Sequence, residues 1–281
     1  MSFVNDYQLI HCALAKNMRT GEYMDSARMF IGPGIGGDEP DYGHCIRKIF
    51  DTDNLSMMRI PSAPGLKSPA KPGYVYHGES EIEYCLYGDR RLSYPDGTKH
   101  LLYPGTAFMH AAGQPHAMEG LSIGESGVLC FHSCRLKDVD RSLWPAGKYL
   151  KQDGGYVVTH CWEAPAVEGG DPLVVVKEIA ETYKMCFRYV TIKPGGCTPK
   201  EHFICNNVDQ IIFVISGSGV AVYPDKSYMI ETEVTAYNKA GQPYKLINTG
   251  EEDLNLAVVY HAEFFREVVQ SELRVSDLKN A

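Results

Sequence analysis

The sequence predicts an all-β protein made of two tandem β-barrels, with a short helix near each end of the chain. Three observations predict this class: an internal repeat, short apolar runs rich in β-branched and aromatic residues, and turn signals that recur every ~8–12 residues. The 281 residues are enough for two domains of ordinary size. The 27 glycines, 16 prolines and 18 tyrosines suit a chain of many short strands and turns.

An internal repeat relates the two halves of the chain. Each copy has an apolar run that ends in glycine, then a Tyr-Pro-Asp turn, then an Ala-Gly-Gln-Pro segment. These features lie at Gly88, 94–96 and 112–115 in the first copy and at Gly217, 223–225 and 240–243 in the second. Because their order and spacing are kept, we infer a duplicated domain. The Pro- and Gly-rich stretch within 145–170 predicts the boundary, with domains at 1–150 and 151–281.

Each copy reads as a set of strands joined by turns. The apolar runs 82–87 and 211–215 are typical of buried strands, and the Tyr-Pro-Asp segments predict hairpin turns because proline presets φ. Helical periodicity occurs only near the ends, over 6–18 and 261–280. In the C-terminal segment, the residues expected on one helical face are Phe264, Phe265, Val268, Val269 and Leu273.

Composition excludes several function classes. A net charge of −8 without a basic cluster argues against nucleic acid or a membrane surface as a partner. The uncharged, mostly apolar stretch 210–224 is too short to span a membrane, and the N-terminus lacks the pattern of a signal peptide. Nine cysteines without a CxxC pair indicate reduced thiols. We therefore expect a cytoplasmic protein that acts on a small molecule.

A cluster of potential metal ligands lies in the first copy. His77, Glu79 and Glu81 share a face if the strand is regular, but ~13 Å separates His77 from Glu81 in a fully extended chain. Both can therefore reach one metal ion only where the chain bends between them. His116, after a Gly-Gln-Pro turn, is a suitable third ligand. Two histidines and one carboxylate leave open coordination positions, which is typical of a catalytic site.

These residues resemble the first sequence motif of the cupin superfamily. Glu81 stands six residues before Gly88 and His77 stands four before Glu81, so they match the glutamate and the second histidine of that motif. The first histidine falls on Val75. Its replacement is open at this point: Glu79, Glu83, His110 or a water molecule could serve, or the site is empty.

The second cupin motif follows in register. Gly105, Gly113 and His116 match its two glycines and its histidine, while Ala111 stands in place of its proline. With the second copy included, the chain resembles a bicupin over 55–135 and 185–260. The resemblance implies two tandem cupin-type barrels, each a double-stranded β-helix or jelly roll. It also implies a homo-oligomer, most simply a dimer.

The second copy departs further from the motifs. Asn206, Gln210 and Tyr244 occupy the positions that match His77, Glu81 and His116. Their side chains are neutral at pH 7 and are poor ligands for a divalent ion. We therefore expect one divalent metal ion per chain, manganese, iron, zinc or nickel, in the N-terminal barrel, and a metal-free C-terminal barrel.

The resemblance implies metal-dependent, non-oxidative chemistry by an isomerase, lyase or hydrolase on a small oxygenated acid or sugar derivative. The metal would polarise the substrate, and Glu83 or Glu79 would act as the base. The candidate partners in proton transfer are Tyr84, Tyr76 and His110. Arg59 is favoured over Arg90 and Lys71 for holding a substrate carboxylate, with Tyr76 and Phe108 as further substrate-binding residues.

Two other function classes are consistent with the same residues. Two histidines and a carboxylate are also the ligand set of Fe(II) dioxygenases. Alternatively, the first site is decayed like the second, and the chain is a non-catalytic, ligand-binding bicupin. Bound iron with oxygen consumption would distinguish the dioxygenase, and absence of metal would favour the binding protein.

Overall fold

The computed structural model describes residues 6–14, 16–23, 29–30, 46–69, 73–138, 141–144, 155–168, 170–182, 184–199 and 202–274. Up to residue 160 the strands are β1 (Tyr7–His11), β2 (Lys16–Asn17), β3 (Met29–Phe30), β4 (Ile46–Asp51), β5 (Ser56–Ser62), β6 (Lys67–Ser68), β7 (Tyr74–His77), β8 (Glu81–Tyr87), β9 (Arg90–Ser93), β10 (Lys99–Leu102), β11 (Thr106–His110), β12 (Ala117–Gly120), β13 (Ser126–His132), β14 (Arg141–Trp144) and β15 (Tyr156–His160). The later strands are β16 (Val174–Thr182), β17 (Met185–Ile192), β18 (Cys197–Thr198), β19 (Phe203–Asn206), β20 (Gln210–Ser216), β21 (Ser218–Val222), β22 (Ser227–Glu231), β23 (Val234–Asn238), β24 (Pro243–Ile247), β25 (Leu254–Tyr260) and β26 (Gln270–Leu273). Single 3-10 turns occur at Leu136–Asp138 and Phe265–Glu267.

The first barrel has two main sheets. One has the strand order β15-β11-β8-β13-β5-β4-β3, and the other has the order β10-β9-β12-β6. Alternate residues of the central strands point into the barrel, where they form an apolar core. The core residues include Met58, Ile60, Cys85, Leu92, Phe108 and Val128.

The second barrel repeats this plan. Its sheets have the orders β16-β17-β25-β20-β23-β1-β2 and β22-β21-β24-β19-β26. Its core includes Ile192, Ile212, Leu246, Leu256 and Val258. The predicted all-β class with two barrels is therefore confirmed. Across the described residues, no helix is long and apolar enough to cross a membrane.

The predicted terminal helices are wrong over the described residues. Residues 7–11 form β1, in which Tyr7 and Leu9 are buried and Gln8 between them is exposed. Pairing with β23 satisfies the backbone hydrogen-bonding groups of this strand. The segment therefore forms a strand, although the spacing of its apolar residues also fits a helix. Near the C-terminus, a 3-10 turn and β26 replace the helix, and residues 275–280 lie outside the described part.

The compact units also differ from the contiguous segments 1–150 and 151–281. One unit comprises 26–163 with 182–184, and the other comprises 1–25, 164–181 and 185–281. The reason is strand pairing: β1 pairs with β23 in the second barrel, and β15 pairs with β11 in the first. Each barrel is thus extended by a strand that lies before the other barrel in the sequence.

Candidate metal centre

Glu81 lies at the centre of a cluster of polar side chains inside the first barrel. It is the first residue of β8, and the strands on either side place His110 of β11 and His132 of β13 directly opposite it. Directly opposed residues on antiparallel strands have Cβ atoms only ~4.5–5.5 Å apart. The strand register therefore brings two imidazoles to the flanks of one carboxylate.

His77 reaches the same carboxylate because the chain turns between β7 and β8. β7 ends at His77 and β8 begins at Glu81, with a three-residue connection, 78–80, between them. The His77 Nε2 atom lies 3.3 Å from Glu81 Oε2. The chain therefore bends between His77 and Glu81, as it must if both are to reach one metal ion.

His116 is held by the backbone of Val75. The two residues form an antiparallel bridge with reciprocal backbone hydrogen bonds of 2.8 Å. His116 Nδ1 lies 3.1 Å from the carbonyl oxygen of Gln114, and its Nε2 lies 3.6 Å from Glu81 Oε2. With its proton on Nδ1, the His116 ring donates a hydrogen bond to that carbonyl oxygen. Its Nε2 atom then keeps a lone pair that points toward Glu81 and can bind a metal ion, as is usual for histidine ligands.

His110 completes the set around this oxygen. Its Nδ1 atom lies 3.4 Å from Glu81 Oε2, and its ring stacks on that of His116 with centroids 3.9 Å apart. On the opposite side of the ring, Nε2 is 3.0 Å from the hydroxyl of Tyr94. Glu81 Oε2 therefore faces one nitrogen from each of three imidazoles.

The other carboxylate oxygen faces a different pair of side chains. The Cys130 thiol donates a hydrogen bond to Glu81 Oε1 at 3.1 Å, and His132 Nε2 lies 3.7 Å from the same oxygen. Cys130 Sγ and His132 Nε2 are 3.3 Å apart. The two oxygens of Glu81 thus have separate neighbours.

Burial and charge set the protonation states. Burial alone would raise the pKa of Glu81, but the charge of His77 and the hydrogen bond from His110 outweigh it and hold that pKa well below its ordinary value. Burial lowers the pKa of His110, and burial together with neighbouring His110 holds the pKa of His116 well below its ordinary value. Near neutral pH the carboxylate is ionised and these two imidazoles are neutral, the forms that bind metals.

The donor atoms fit a divalent metal ion. One atom from each of His77, Glu81 and His116 lies within 4.8 Å of the others, and all three residues are buried. His110 lies beside them, whereas the residue at the first motif position, Val75, is apolar and buried. Of the candidates to replace the missing histidine, His110 is the side chain that the structure places against Glu81.

Two further predicted residues, Glu83 and Phe108, lie inside the barrel. Each is two residues along its strand from a member of the cluster, Glu81 or His110. Glu83 follows Glu81 on the same face of β8, between Phe108 and Cys130 in the strand register. The ring of Phe108 is 5.5 Å from that of His110. Glu83 is a buried carboxylate among mostly apolar neighbours, with the charge of Arg90 nearby.

Other predicted residues lie away from the cluster. Tyr84 and Tyr76 alternate with the inward-facing residues of β8 and β7 and so point to the opposite faces of their strands. Arg59 likewise alternates with Met58 and Ile60, and its guanidinium lies over the ring of Tyr87. The strand alternation does not bring these three residues to Glu81.

The remaining candidates are accounted for differently. Glu79 lies in the connection between β7 and β8, where it accepts a hydrogen bond from Ser133. Arg90 is buried and donates to Ser126, to Ser62 and to the carbonyl oxygen of Ile60. Lys71 lies outside the described residues.

Sequence reasoning missed three members of the cluster: Tyr94, Cys130 and His132. Tyr94 belongs to the repeated Tyr-Pro-Asp turn, so its recurrence in both copies was a usable signal. Cys130 and His132 lie in an apolar run at the end of β13, and only the register of β13 against β8 connects them with Glu81.

Comparisons with known proteins agree with this architecture. Residues 188–260, in the second barrel, match the family described as Cupin domain. A Pseudomonas aeruginosa protein described as glyoxylate-induced has a similar structure, with a TM-score of 0.67 and 13% identity over 94% of this chain and 90% of that one. The second barrel is a cupin domain, and the whole chain shares the fold of proteins with tandem cupin barrels. The predicted superfamily and the predicted tandem cupin barrels are confirmed.

Two enzymes also share the cupin fold with this chain. Salicylate 1,2-dioxygenase of Pseudoaminobacter salicylatoxidans, solved with gentisate, has a TM-score of 0.61 and 8% identity over 78% of this chain and 72% of its own. Oxalate decarboxylase of Bacillus subtilis has a TM-score of 0.57 and 14% identity over 82% and 75%. At these identities the likeness shows the fold alone. No curated protein matches this chain by sequence.

Proposed function

We propose that the first barrel is the catalytic centre of a metal-dependent enzyme that carries out non-oxidative chemistry on a small oxygenated acid or sugar derivative. An isomerase, a lyase or a hydrolase would fit. One observation carries the proposal: Glu81 Oε2 lies 3.3–3.6 Å from nitrogens of His77, His110 and His116 inside the barrel. In the second barrel, the positions matching His77, Glu81 and His116 hold neutral side chains.

His77, Glu81 and His116 would hold one divalent ion, either manganese, iron, zinc or nickel, and His110 lies close enough to join them. When bound, such an ion supplies a Lewis acid that polarises a substrate carbonyl or hydroxyl. Tyr94 orients His110, and the Gln114 carbonyl orients His116. These contacts hold both rings in place before substrate arrives.

Glu83 is the residue best placed to move a proton. Its carboxylate is buried two residues along β8 from Glu81 and faces the barrel interior, whereas Glu79 lies in the connection between β7 and β8. Phe108 lies directly opposite Glu83 on β11 and is a buried apolar neighbour of it. We therefore assign the base to Glu83.

Metal content tests the proposal directly. We expect ~1 metal ion per chain in the purified protein and near-complete loss in His77→Ala and in His116→Ala, measured by elemental analysis. His202→Ala, a histidine of the second barrel, is the matched control and should retain the metal. A wild-type protein that binds no divalent ion after incubation with each of the four metals would refute the proposal.

Glu83→Gln separates catalysis from metal binding. We expect it to keep the metal and to lose ~100-fold or more in kcat once a substrate is found among keto acids and sugar acids. Unchanged kcat in Glu83→Gln would exclude Glu83 as the base.

A second candidate function is an Fe(II) dioxygenase, because two histidines and a carboxylate are also the ligand set of such enzymes. Oxygen uptake by the iron-loaded protein in the presence of aromatic or thiol substrates distinguishes it. Uptake that depends on His77 and His116 would replace the non-oxidative assignment.

The proposal includes a small-molecule substrate, a homodimer and a cytoplasmic location. The eight cysteines in the described part of the chain form no disulfide bond, which suits a reducing compartment. Light scattering of the purified protein tests the dimer, and cell fractionation tests the location.

A further inference from the structure

The Oε1 atom of Glu81 has its own set of neighbouring donor atoms. Cys130 Sγ, His132 Nε2 and Glu81 Oε1 all lie within 4.8 Å of one another and belong to buried residues. Their separations are 3.1 Å, 3.3 Å and 3.7 Å. None of these atoms belongs to the set around Oε2.

These separations fit donors that share one metal ion. In a tetrahedral zinc site, bonds of ~2.3 Å to sulfur and ~2.0–2.1 Å to nitrogen or oxygen place neighbouring donor atoms ~3.3–3.6 Å apart. The observed edges of 3.1, 3.3 and 3.7 Å lie within ~0.5 Å of these values. An ion could therefore bind to all three residues with little movement of the side chains.

The surroundings of Cys130 differ from those of other buried thiols in this chain. Cys186 donates to the carbonyl oxygen of Ala262, and Cys85 and Cys130 both belong to the apolar core of the first barrel. Cys130 also contacts a carboxylate and an imidazole, those of Glu81 and His132. Thiolate, imidazole and carboxylate together are a donor set for borderline-soft divalent cations such as zinc and cobalt.

The second barrel lacks all three members at once. Gln210 takes the place of Glu81, and Tyr260 pairs with it as His132 pairs with Glu81. Val258, two residues earlier on the same face, occupies the place of Cys130. The thiol and the imidazole therefore occur in the barrel that has the carboxylate, which is the pattern expected if the three act together.

We propose that Cys130, His132 and Glu81 Oε1 form a second metal position, joined to the first by the bridging carboxylate of Glu81. The ion expected at this position is a borderline-soft divalent cation. On binding, the Cys130 S–H bond breaks, a sulfur–metal bond forms and the proton leaves to the buffer. This inference rests on the proposed metal centre, since Glu81 belongs to both positions.

Cobalt titration of the full-length, metal-free protein tests it, because thiolate-bound Co²⁺ shows a sulfur-to-metal charge-transfer band in the near ultraviolet. Beyond the ~1 ion expected at the proposed centre of the purified protein, excess Co²⁺ should raise the total to ~2 per chain, with this band appearing as the Cys130 position fills. Cys130→Ser should abolish the band and reduce the stoichiometry to one. Cys186→Ser, a buried thiol of the second barrel, is the matched control and should keep both.

The outcomes separate this inference from the proposed function. One Co²⁺ per chain, two without the band, or no bound Co²⁺ overturns the second position. The proposed centre is tested separately, by the metal content of His77→Ala and His116→Ala with manganese, iron, zinc and nickel. If Cys130→Ser fails to fold, His132→Gln serves instead: it should weaken one of the two cobalt equivalents at least ~10-fold, and two unchanged equivalents would contradict the proposal.

Discussion

The two barrels place the same set of positions together but fill them with different chemistry. Gln210 lies opposite Asn238 and Tyr260 in the second barrel, as Glu81 lies opposite His110 and His132 in the first. Asn206 donates to Gln210 at 2.7 Å and to Tyr244 at 3.3 Å. Neutral side chains that hydrogen-bond to one another thus occupy the positions that hold a carboxylate and imidazoles in the first barrel.

The supporting residues are retained even where the ligands are not. Tyr94 contacts His110 in the first barrel, and Tyr223 donates to Asn238 at 2.9 Å in the second. Each tyrosine also stacks on a tyrosine from an added strand, with centroids 3.8 Å apart for Tyr156 and 3.6 Å for Tyr7. The barrel therefore determines which positions meet, while residue type determines whether they suit a metal.

The largest expected effect comes from making the first barrel resemble the second. Glu81→Gln removes the charge that faces three imidazoles, so we expect metal affinity to fall by more than ~100-fold. Competition with a chelator measures the change. Glu119→Gln, which removes an exposed ion pair with Lys67 and Arg91 in the same barrel, should leave affinity unchanged. Equal affinity in Glu81→Gln and wild type would contradict the assigned centre.

The reverse exchange should create a site. Asn206→His, Gln210→Glu and Tyr244→His, introduced together into the Glu81→Gln protein, should restore ~1 metal ion per chain by elemental analysis. The same protein with Gln210 unchanged is the control, and it should bind little metal because it lacks the carboxylate. A folded triple variant without metal would show that these three positions are insufficient in the second barrel.

A smaller effect should distinguish the two supporting tyrosines. Tyr94→Phe and Tyr223→Phe each remove a buried hydrogen bond, so each should lower the free energy of unfolding by ~1–3 kcal/mol in denaturant titrations. Tyr94→Phe should also weaken metal binding by ~10–100-fold, because His110 loses its orienting partner. Equal metal affinity in the two variants would remove Tyr94 from the centre.

Much of the fold could be predicted from local signals. Two β-barrels were predicted from the repeat, the Tyr-Pro-Asp turns and the apolar runs. The spacing of the motifs predicted His77, Glu81 and His116 as metal ligands. The terminal helices failed because apolar spacing alone does not reveal a partner strand. Residues 7–11 fit a helical pattern in sequence, yet β23 offers them a ladder of hydrogen bonds.

The sequence by itself determined the class of fold, the duplication and the unequal chemistry of the two copies, since these depend on residue type and spacing along the chain. Only the tertiary structure decided that His110, Cys130 and His132 surround Glu81. Cross-strand register creates these neighbours, and it joins residues far apart in sequence. For the same reason, Glu83 and Phe108 lie inside the first barrel while Tyr84 and Arg59 point to the other face of its sheet.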